Sequence, residues 1–187
     1  MTRAGQHPTA SAAERTTRCV AGMDFETSDG QQVLEERLQF EILISDLSAA
    51  IVNAAAANVD RTIAETLCRV AEFCGVDVCA LYRLSPDGER LSASHVHSRQ
   101  GHERAAERLA RELPAELLAR LRAGDVADVP SPANSAREEG RLLIPTRAGQ
   151  TQRGAVGLIR GEGTLQLPPY VVLRLRLLGD IIANTLA

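Results

Sequence analysis

Tryptophan is absent from this sequence and aromatic residues are scarce, at 3% of the 187 residues. The chain also has no basic excess, because its net charge at pH 7 is −3. Proteins that bind nucleic acid carry clustered Lys and Arg, and those that bind single strands stack the bases on aromatic rings. The composition therefore argues against direct binding of nucleic acid.

Long apolar runs are also missing. No stretch approaches the roughly 20 apolar residues that are needed to span a bilayer, and the N-terminal residues contain no apolar signal-peptide segment. The apolar fraction of 44% is ordinary for a globular protein, and the chain is long enough to bury a sizeable core. We therefore expect a soluble, cytoplasmic protein without membrane association.

The four cysteines, Cys19, Cys68, Cys74 and Cys79, form no Cys-x-x-Cys motif, and no His or Cys run has the spacing of a zinc site. Cys68 and Cys74 fall in a helical pattern and Cys79 in a strand pattern. We interpret these three as small buried apolar residues in a reducing compartment. The sequence predicts neither a metal site nor a cofactor.

The first segment of the chain is polar and shows no apolar periodicity, which predicts a disordered tail over residues 1–30. Met23, within this tail, is a candidate for an internal translation start. A single domain is expected over residues 31–187, beginning with a long helix from Gln32 to Ala56. The main apolar face of that helix consists of Phe40, Leu43, Ile44, Leu47 and Ile51, and a lesser stripe consists of Leu34, Leu38 and Ile42.

The last stretch, residues 170–187, is predicted to form another helix with two apolar faces, like the long helix at the start of the domain. It follows Pro168 and Pro169, which suit a first helical turn. Because such a helix needs two partners, we expect one face on the domain's own sheet and the other on a second copy of the chain. The pattern stops at Ala187 without a C-cap glycine, as expected of a connector to an output domain. The first face consists of Val171, Leu175, Leu178, Ile182 and Leu186, and the second of Leu173, Leu177 and Ile181.

Between these helices the pattern alternates between helical and strand periodicity. A second helix over residues 61–74 begins at an N-cap, Asp60, and ends at Gly75. The remaining elements are strands at Val76–Leu84 and Arg90–Ser98, helices at His102–Leu113 and Ala115–Arg122, and strands at Asp125–Val129, Arg141–Arg147 and Arg153–Arg160. This order predicts an α+β fold with an antiparallel sheet.

Three stretches of the sequence resemble a GAF domain. One is Gly75-Val-Asp-Val-Cys-Ala-Leu-Tyr-Arg-Leu-Ser-Pro-Asp-Gly88, where a helix end runs into the first strand and its turn. Another is Leu142-Leu-Ile-Pro145, followed by Arg153-Gly-Ala-Val-Gly-Leu-Ile159. The third is the closing helix. The opening Leu38–Leu47 and the ending Arg174–Leu178 resemble modules placed before bacterial histidine kinases or transcriptional activators.

The resemblance implies a central antiparallel sheet of five to six strands. The terminal helices would cover one face, and helices and loops would roof a ligand pocket on the other. It also implies a non-catalytic sensory module of signal transduction, such as a two-component system or a transcription regulator. Such a module would bind a small molecule and act as a homodimer through the helices at residues 33–56 and 170–187.

Four residues are candidates for binding that ligand. His95 and His97 lie two apart on one predicted strand, so we expect them to share a face with Leu91 and Ala93. Tyr82 on the first strand lies in the core or lines the pocket.

Arg141 begins the fourth strand, and its guanidinium would suit an anionic ligand. Nearby Glu138 and Glu139 are expected to be solvated charges on a loop.

Two other functions stay open. One is a haem- or metal-binding protein or a GAF-fold redox enzyme, similar to a methionine sulfoxide reductase, that uses His95, His97 or the cysteines. The other is an interaction domain whose pocket has collapsed. No Ser/His/Asp triad or carboxylate pair is evident in the sequence, so we expect no enzyme activity.

Overall fold

The computed structural model describes residues 12–100, 102–131 and 138–187, and for residues 12–29 and 152 it describes the backbone alone. The chain has two compact units, Met1–Glu41 and Ile42–Ala187. Helix α1 covers Ala12–Val52. The long helix predicted from Gln32 is thus confirmed, but it begins earlier and overlaps the predicted tail. Residues 1–11 of that tail lie outside the described residues, and its disorder stays a prediction.

The unit Ile42–Ala187 has the predicted order of helices and strands, with one short 3-10 turn, Ala56–Asn58, added after α1. Five strands form one antiparallel sheet in the order β2-β1-β5-β4-β3. The predicted α+β class is therefore confirmed, at the lower end of the expected strand number. The elements after α1 are α2 (Val59–Cys74), β1 (Val78–Leu84), β2 (Leu91–Ser98), α3 (Ala105–Glu112), α4 (Ala115–Ala123), β3 (Ala127–Asp128), β4 (Gly140–Ala148), β5 (Thr151–Arg160) and α5 (Pro169–Thr185).

The C-terminal end of α2 contacts a residue far from it in sequence. Gly75 adopts the left-handed conformation with φ 61°, as predicted for the residue that ends the helix. Arg160 of β5 then donates from Nε to the carbonyl of Gly75 and from Nη2 to that of Cys74, both at 3.2 Å. The predicted N-cap was wrong: Asn58 occupies that position, and Asp60 lies in the first turn of the helix.

The two faces of the sheet bury different helices. Residues opposite each other on neighbouring strands share a face, so alternate residues of β1 define the two surfaces. The α3 face carries Val78, Ala80 and Tyr82, and the α5 face carries Cys79, Leu81 and Arg83. On the α3 face, a cluster packs under α3 and α4 that comprises Val78, Ala80, Tyr82, Leu91, Ala105, Ala106, Leu109, Leu121, Ala127, Val129, Leu143, Ala155 and Ile159.

Helix α5 packs against β4 and β5 on the other face. Its first predicted apolar stripe is buried through Val171, Leu175, Leu178 and Ile182. Gly179 lies so close to the sheet that a Cβ there would be 2.5 Å from Cγ2 of Thr146 and 2.9 Å from Cγ2 of Val156. In the part of the chain that the structure describes, no helix has the length and apolarity that crossing a bilayer requires.

Replacing Gly179 by Ala should destabilise the protein by about 1–3 kcal/mol, because the added methyl overpacks against two stiff β-branched side chains. Urea unfolding followed by circular dichroism measures the change. Gly30→Ala is the matched control: a Cβ at this helical glycine meets nothing within 4 Å, so the variant should be neutral or slightly more stable. Equal stability of the Gly179→Ala variant and the wild type would contradict the close helix–sheet packing.

Candidate functional site

An irregularity in β2 separates the residues that the sequence placed together. Leu81 lies opposite His95, but the next residue, Tyr82, lies opposite Ala93, so Ser94 is an extra residue in the ladder. The extra residue reverses which side chains share a face. His95 and His97 therefore lie on the α5 face, while Leu91 and Ala93 lie on the α3 face, and the predicted common face of all four was wrong.

Both ring nitrogens of His95 have partners. Nε2 is 3.2 Å from Oδ1 of Asp60 on α2, and Nδ1 is 3.2 Å from Oγ of Ser94. His97 lies opposite Cys79 on the neighbouring strand. Among the described residues, no group of three or more His, Cys, Asp or Glu side chains could hold a metal ion. The geometry of His95 thus favours a contact between β2 and α2 over ligation.

Tyr82 is buried in the middle of the α3 face. Its ring packs over Gly157, where any Cβ would collide with the ring, and its hydroxyl donates to the carbonyl of Ala106 at 3.1 Å. Burial, and to a lesser extent the nearby Cys79, raises the pKa of the hydroxyl well above its usual range. Tyr82 therefore holds α3 against the sheet as a neutral hydrogen-bond donor.

Arg141 lies on the same α3 face, at the end of the sheet where β1 begins. Its position follows from the register, since it is opposite Ile159, which is opposite Val78. The side chain is only 2% exposed, and its Nε donates to Oε2 of Glu139 at 2.9 Å. The burial is unusual for an arginine and requires the paired carboxylate.

Glu139 is shared between two arginines. Its Oε1 accepts from Nη2 of Arg108, on α3, at 2.8 Å, while its Oε2 accepts from Arg141. Glu112, also on α3, lies 3.9 Å from Nη2 of Arg141. The expectation that Glu139 is solvated was wrong, because its side chain is 13% exposed and pairs with both guanidinium groups.

The cluster retains hydrogen-bonding capacity. Nη2 of Arg141 is 2.9 Å from Oε2 of Glu139, but it has no hydrogen-bonding partner among the described residues, and neither does Nε of Arg108. Nη2 is close enough to Oε2 for an ion pair, but the angle between the two groups is too poor for a hydrogen bond. Buried donors without acceptors are rare and costly, so this end of the α3 face is suited to accept an anionic group.

Sequence reasoning found Arg141 but missed its partners. Arg108 and Glu112 are four apart on a helix and read as surface charges, and Glu139 stands beside Glu138 in a polar stretch. The one available signal was the position of Arg141 next to a continuous apolar strand, Leu142–Ile144, which predicts burial and hence a compensating acid.

The described cysteines are poor nucleophiles. Cys74 and Cys79 are buried, and burial raises the pKa of the Cys74 thiol to about 11 and that of Cys79 further still. Burial and the neighbouring Glu72 also raise the pKa of Cys68. These shifts favour the protonated thiol at neutral pH, and a protonated thiol is a weak nucleophile.

Comparison with known proteins identifies the fold. No protein-family model matches the chain, and no curated protein matches it in sequence. Solved structures do match: the phycoerythrobilin-bound GAF domain of a cyanobacterial phytochrome is 15% identical, with a TM-score of 0.59 over 79% of this chain and 94% of that one. The chain has the GAF fold.

Two further GAF-fold structures show the range of this fold. The GAF domain of a candidate sensor histidine kinase from Pseudomonas syringae pv. tomato is 16% identical, with a TM-score of 0.54 over 84% of this chain and 91% of that chain. Free methionine-R-sulfoxide reductase from Neisseria meningitidis, in complex with its substrate, is 12% identical, with a TM-score of 0.55 over 78% and 87%. The GAF fold therefore serves both a signalling protein and an enzyme.

The substitution Tyr82→Phe should lower stability by about 1 kcal/mol at neutral pH, because it removes a buried hydrogen bond. The variant should also lose less stability than the wild type as the pH rises above 10. Since the folded pKa of Tyr82 lies above its unfolded value, its contribution is complete below pH 10 and declines as the pH rises beyond that.

Urea unfolding of both proteins from pH 7 to pH 11 measures these effects. Cys74 and Cys79 contribute a similar alkaline loss in each protein, so the difference between the two curves isolates Tyr82. Parallel curves over this range would contradict a neutral, buried Tyr82.

Proposed function

We propose that this chain is a non-catalytic sensory GAF domain. It binds a small anionic molecule on the α3 face and passes the event through its terminal helices, in a homodimer, to an output domain such as a histidine kinase or a transcriptional regulator. The GAF fold supports the sensory role, and the two-sided character of α5 supports the relay.

The observation that carries the proposal is the second apolar face of α5. Leu173 and Leu177 are 58% and 44% exposed, whereas Leu175 and Leu178 between and beside them are buried. In the same unit, Ile42 and Val52 of α1 are 48% and 68% exposed. Burying a leucine side chain stabilises by about 1.5–3 kcal/mol, so a second copy of this chain gains by covering these residues.

The ligand would bind at Arg141. The cluster of Arg108, Arg141, Glu112 and Glu139 joins α3 to β4, and two of its donor nitrogens lack acceptors among the described residues. A carboxylate or phosphate oxygen would satisfy them with charge-assisted hydrogen bonds. Because α3 carries half of the cluster, an anion bound there favours one position of α3 over another.

Transmission is then a population shift. Tyr82 connects α3 to β1 and β5, and β5 lies under α5 through Val156 and Gly179. A ligand that favours one packing of α3 changes the helix arrangement only to the extent that it binds that packing better. The path from α3 to α5 therefore passes through two adjacent residues of β5, Gly157 on the α3 face and Val156 on the α5 face.

The alternative of a redox or metal enzyme is less well supported. His95 already contacts Asp60 and Ser94, and it lies on the opposite face from Arg141. The thiols of Cys74 and Cys79 are buried and protonated. A collapsed pocket agrees with the packed cluster beneath α3 and α4, and it differs from our proposal in predicting no ligand.

The double substitution Leu173→Glu/Leu177→Glu should convert a dimer into a monomer. Placing two charges in an apolar interface removes the burial of two leucines, which raises the dimer dissociation constant by about a hundredfold or more. Light scattering coupled to size exclusion measures the mass. Val96→Glu is the matched control, since Val96 is 41% exposed on β2 and should leave the dimer intact. A monomeric wild type would contradict the proposed relay.

Native mass spectrometry of protein purified without denaturation tests the ligand. We expect a small-molecule adduct on the wild type, and its loss in the charge-balanced variant Arg141→Met/Glu139→Gln, which leaves no unpaired charge between these two positions. Arg61→Gln, on the exposed side of α2, should retain the adduct. An adduct present equally in all three proteins, or absent from the wild type across several expression hosts, would contradict binding at Arg141.

A further inference from the structure

A groove of about 570 Å³ opens at the end of the sheet, beside the last turn of α5. Its walls are the β1–β2 turn, the start of β5 and the end of α5. It lies on the α5 face, opposite the cluster at Arg141. The residues that give it chemical character are Arg83, Ser92, Thr146, Arg153, Ala183 and Leu186.

The floor of the groove is one row across four strands. Ser92 lies opposite Arg83, Arg83 opposite Gly154, and Gly154 opposite Thr146. Glycine is required in this row, since a Cβ at position 154 would collide with the carbonyl of Tyr82. The row therefore has no bulky side chain between β1 and β4, and its exposed charged group is the guanidinium of Arg83. Thr146 is buried, and the hydroxyl of Ser92 donates to the carbonyl of Arg83.

The positive charge in this groove is not neutralised. Arg83 and Arg153 are exposed, and neither side chain forms an ion pair or hydrogen bond with any described residue. Asp87 also lines the groove, but its carboxylate is hydrogen-bonded within the β1–β2 turn. It accepts from Oγ of Ser85 and from the backbone N–H of Glu89.

The remaining wall is apolar and selects the kind of anion. Leu84, Pro86, Ala183 and Leu186 line one side of the groove. The last turn of α5 presents the negative end of the helix dipole there, which disfavours any anion beside the helix and a doubly charged group more than a singly charged one. A single carboxylate on an apolar body satisfies both constraints, because it pairs with the guanidinium groups and buries its carbon chain against the helix end.

We propose that this groove is a second binding site, for a small monocarboxylate with an apolar body. The carboxylate contacts Arg83 and Arg153, and the apolar part contacts the last turn of α5. A ligand held between β1, β5 and α5 stabilises one position of the end of α5, which is the helix that relays the signal in the proposed function. Binding itself does not depend on that function.

Amide chemical shifts of the full chain, titrated with hexanoate, hexanamide and inorganic phosphate, test the proposal. We expect saturable hexanoate shifts at Ser92, Thr151 and Leu186. Hexanamide, which has the same length without the charge, should bind about tenfold more weakly or worse, because a charge-assisted hydrogen bond is lost. Phosphate should also bind more weakly than hexanoate.

Variants locate the contact. Arg83→Gln/Arg153→Gln should weaken hexanoate binding at least tenfold, while Arg61→Gln/Arg69→Gln removes the same charge from exposed positions on α2 and should leave it unchanged. Arg141→Met/Glu139→Gln should also retain binding, which separates this site from the one on the α3 face. Three results would overturn the proposal: equal binding of hexanamide, tighter binding of phosphate, or hexanoate binding that survives the Arg83/Arg153 substitutions.

Discussion

The contact between Tyr82 and the central strands controls how α3 meets the sheet. Only a glycine at position 157 leaves room for the ring, and the ring brings its hydroxyl within 3.1 Å of the Ala106 carbonyl. Because α3 is fixed at this point, Arg108 and Glu112, further along the same helix, reach the cluster at Arg141. The Tyr82 side chain thus fixes one point at which α3 meets the sheet.

Stability alone does not explain the charge cluster. Removing the guanidinium of Arg141 and the carboxylate of Glu139 from water costs several kcal/mol per ion, and their attraction often only balances that cost. An apolar core would have served stability equally well at this position. The buried Arg141, with a donor nitrogen that no described residue satisfies, is therefore the observation on which the proposed ligand site rests.

Local sequence signals predicted most of the fold. The spacing of Val171, Leu175, Leu178 and Ile182 identified the buried side of α5, and Gly75 identified the end of α2. Those features depend on neighbours within a few residues. The face of His95 depends on one extra residue in β2, and alternation carries no mark of such a bulge. Of the four residues predicted to bind a ligand, Tyr82 and Arg141 lie on the α3 face and the two histidines on the α5 face, and their role in binding stays a prediction.

The sequence by itself determined the order of the helices and strands, the hairpin turn and the apolar stripes, because periodicity and turn chemistry are properties of adjacent residues. Only the tertiary structure decided which charges are buried and which surfaces stay open. Arg108 and Glu139 are 31 positions apart, and His95 and Asp60 are 35 apart. Pairs at such distances depend on the register of the sheet and the packing of the helices on it, so no local pattern of residues specifies them.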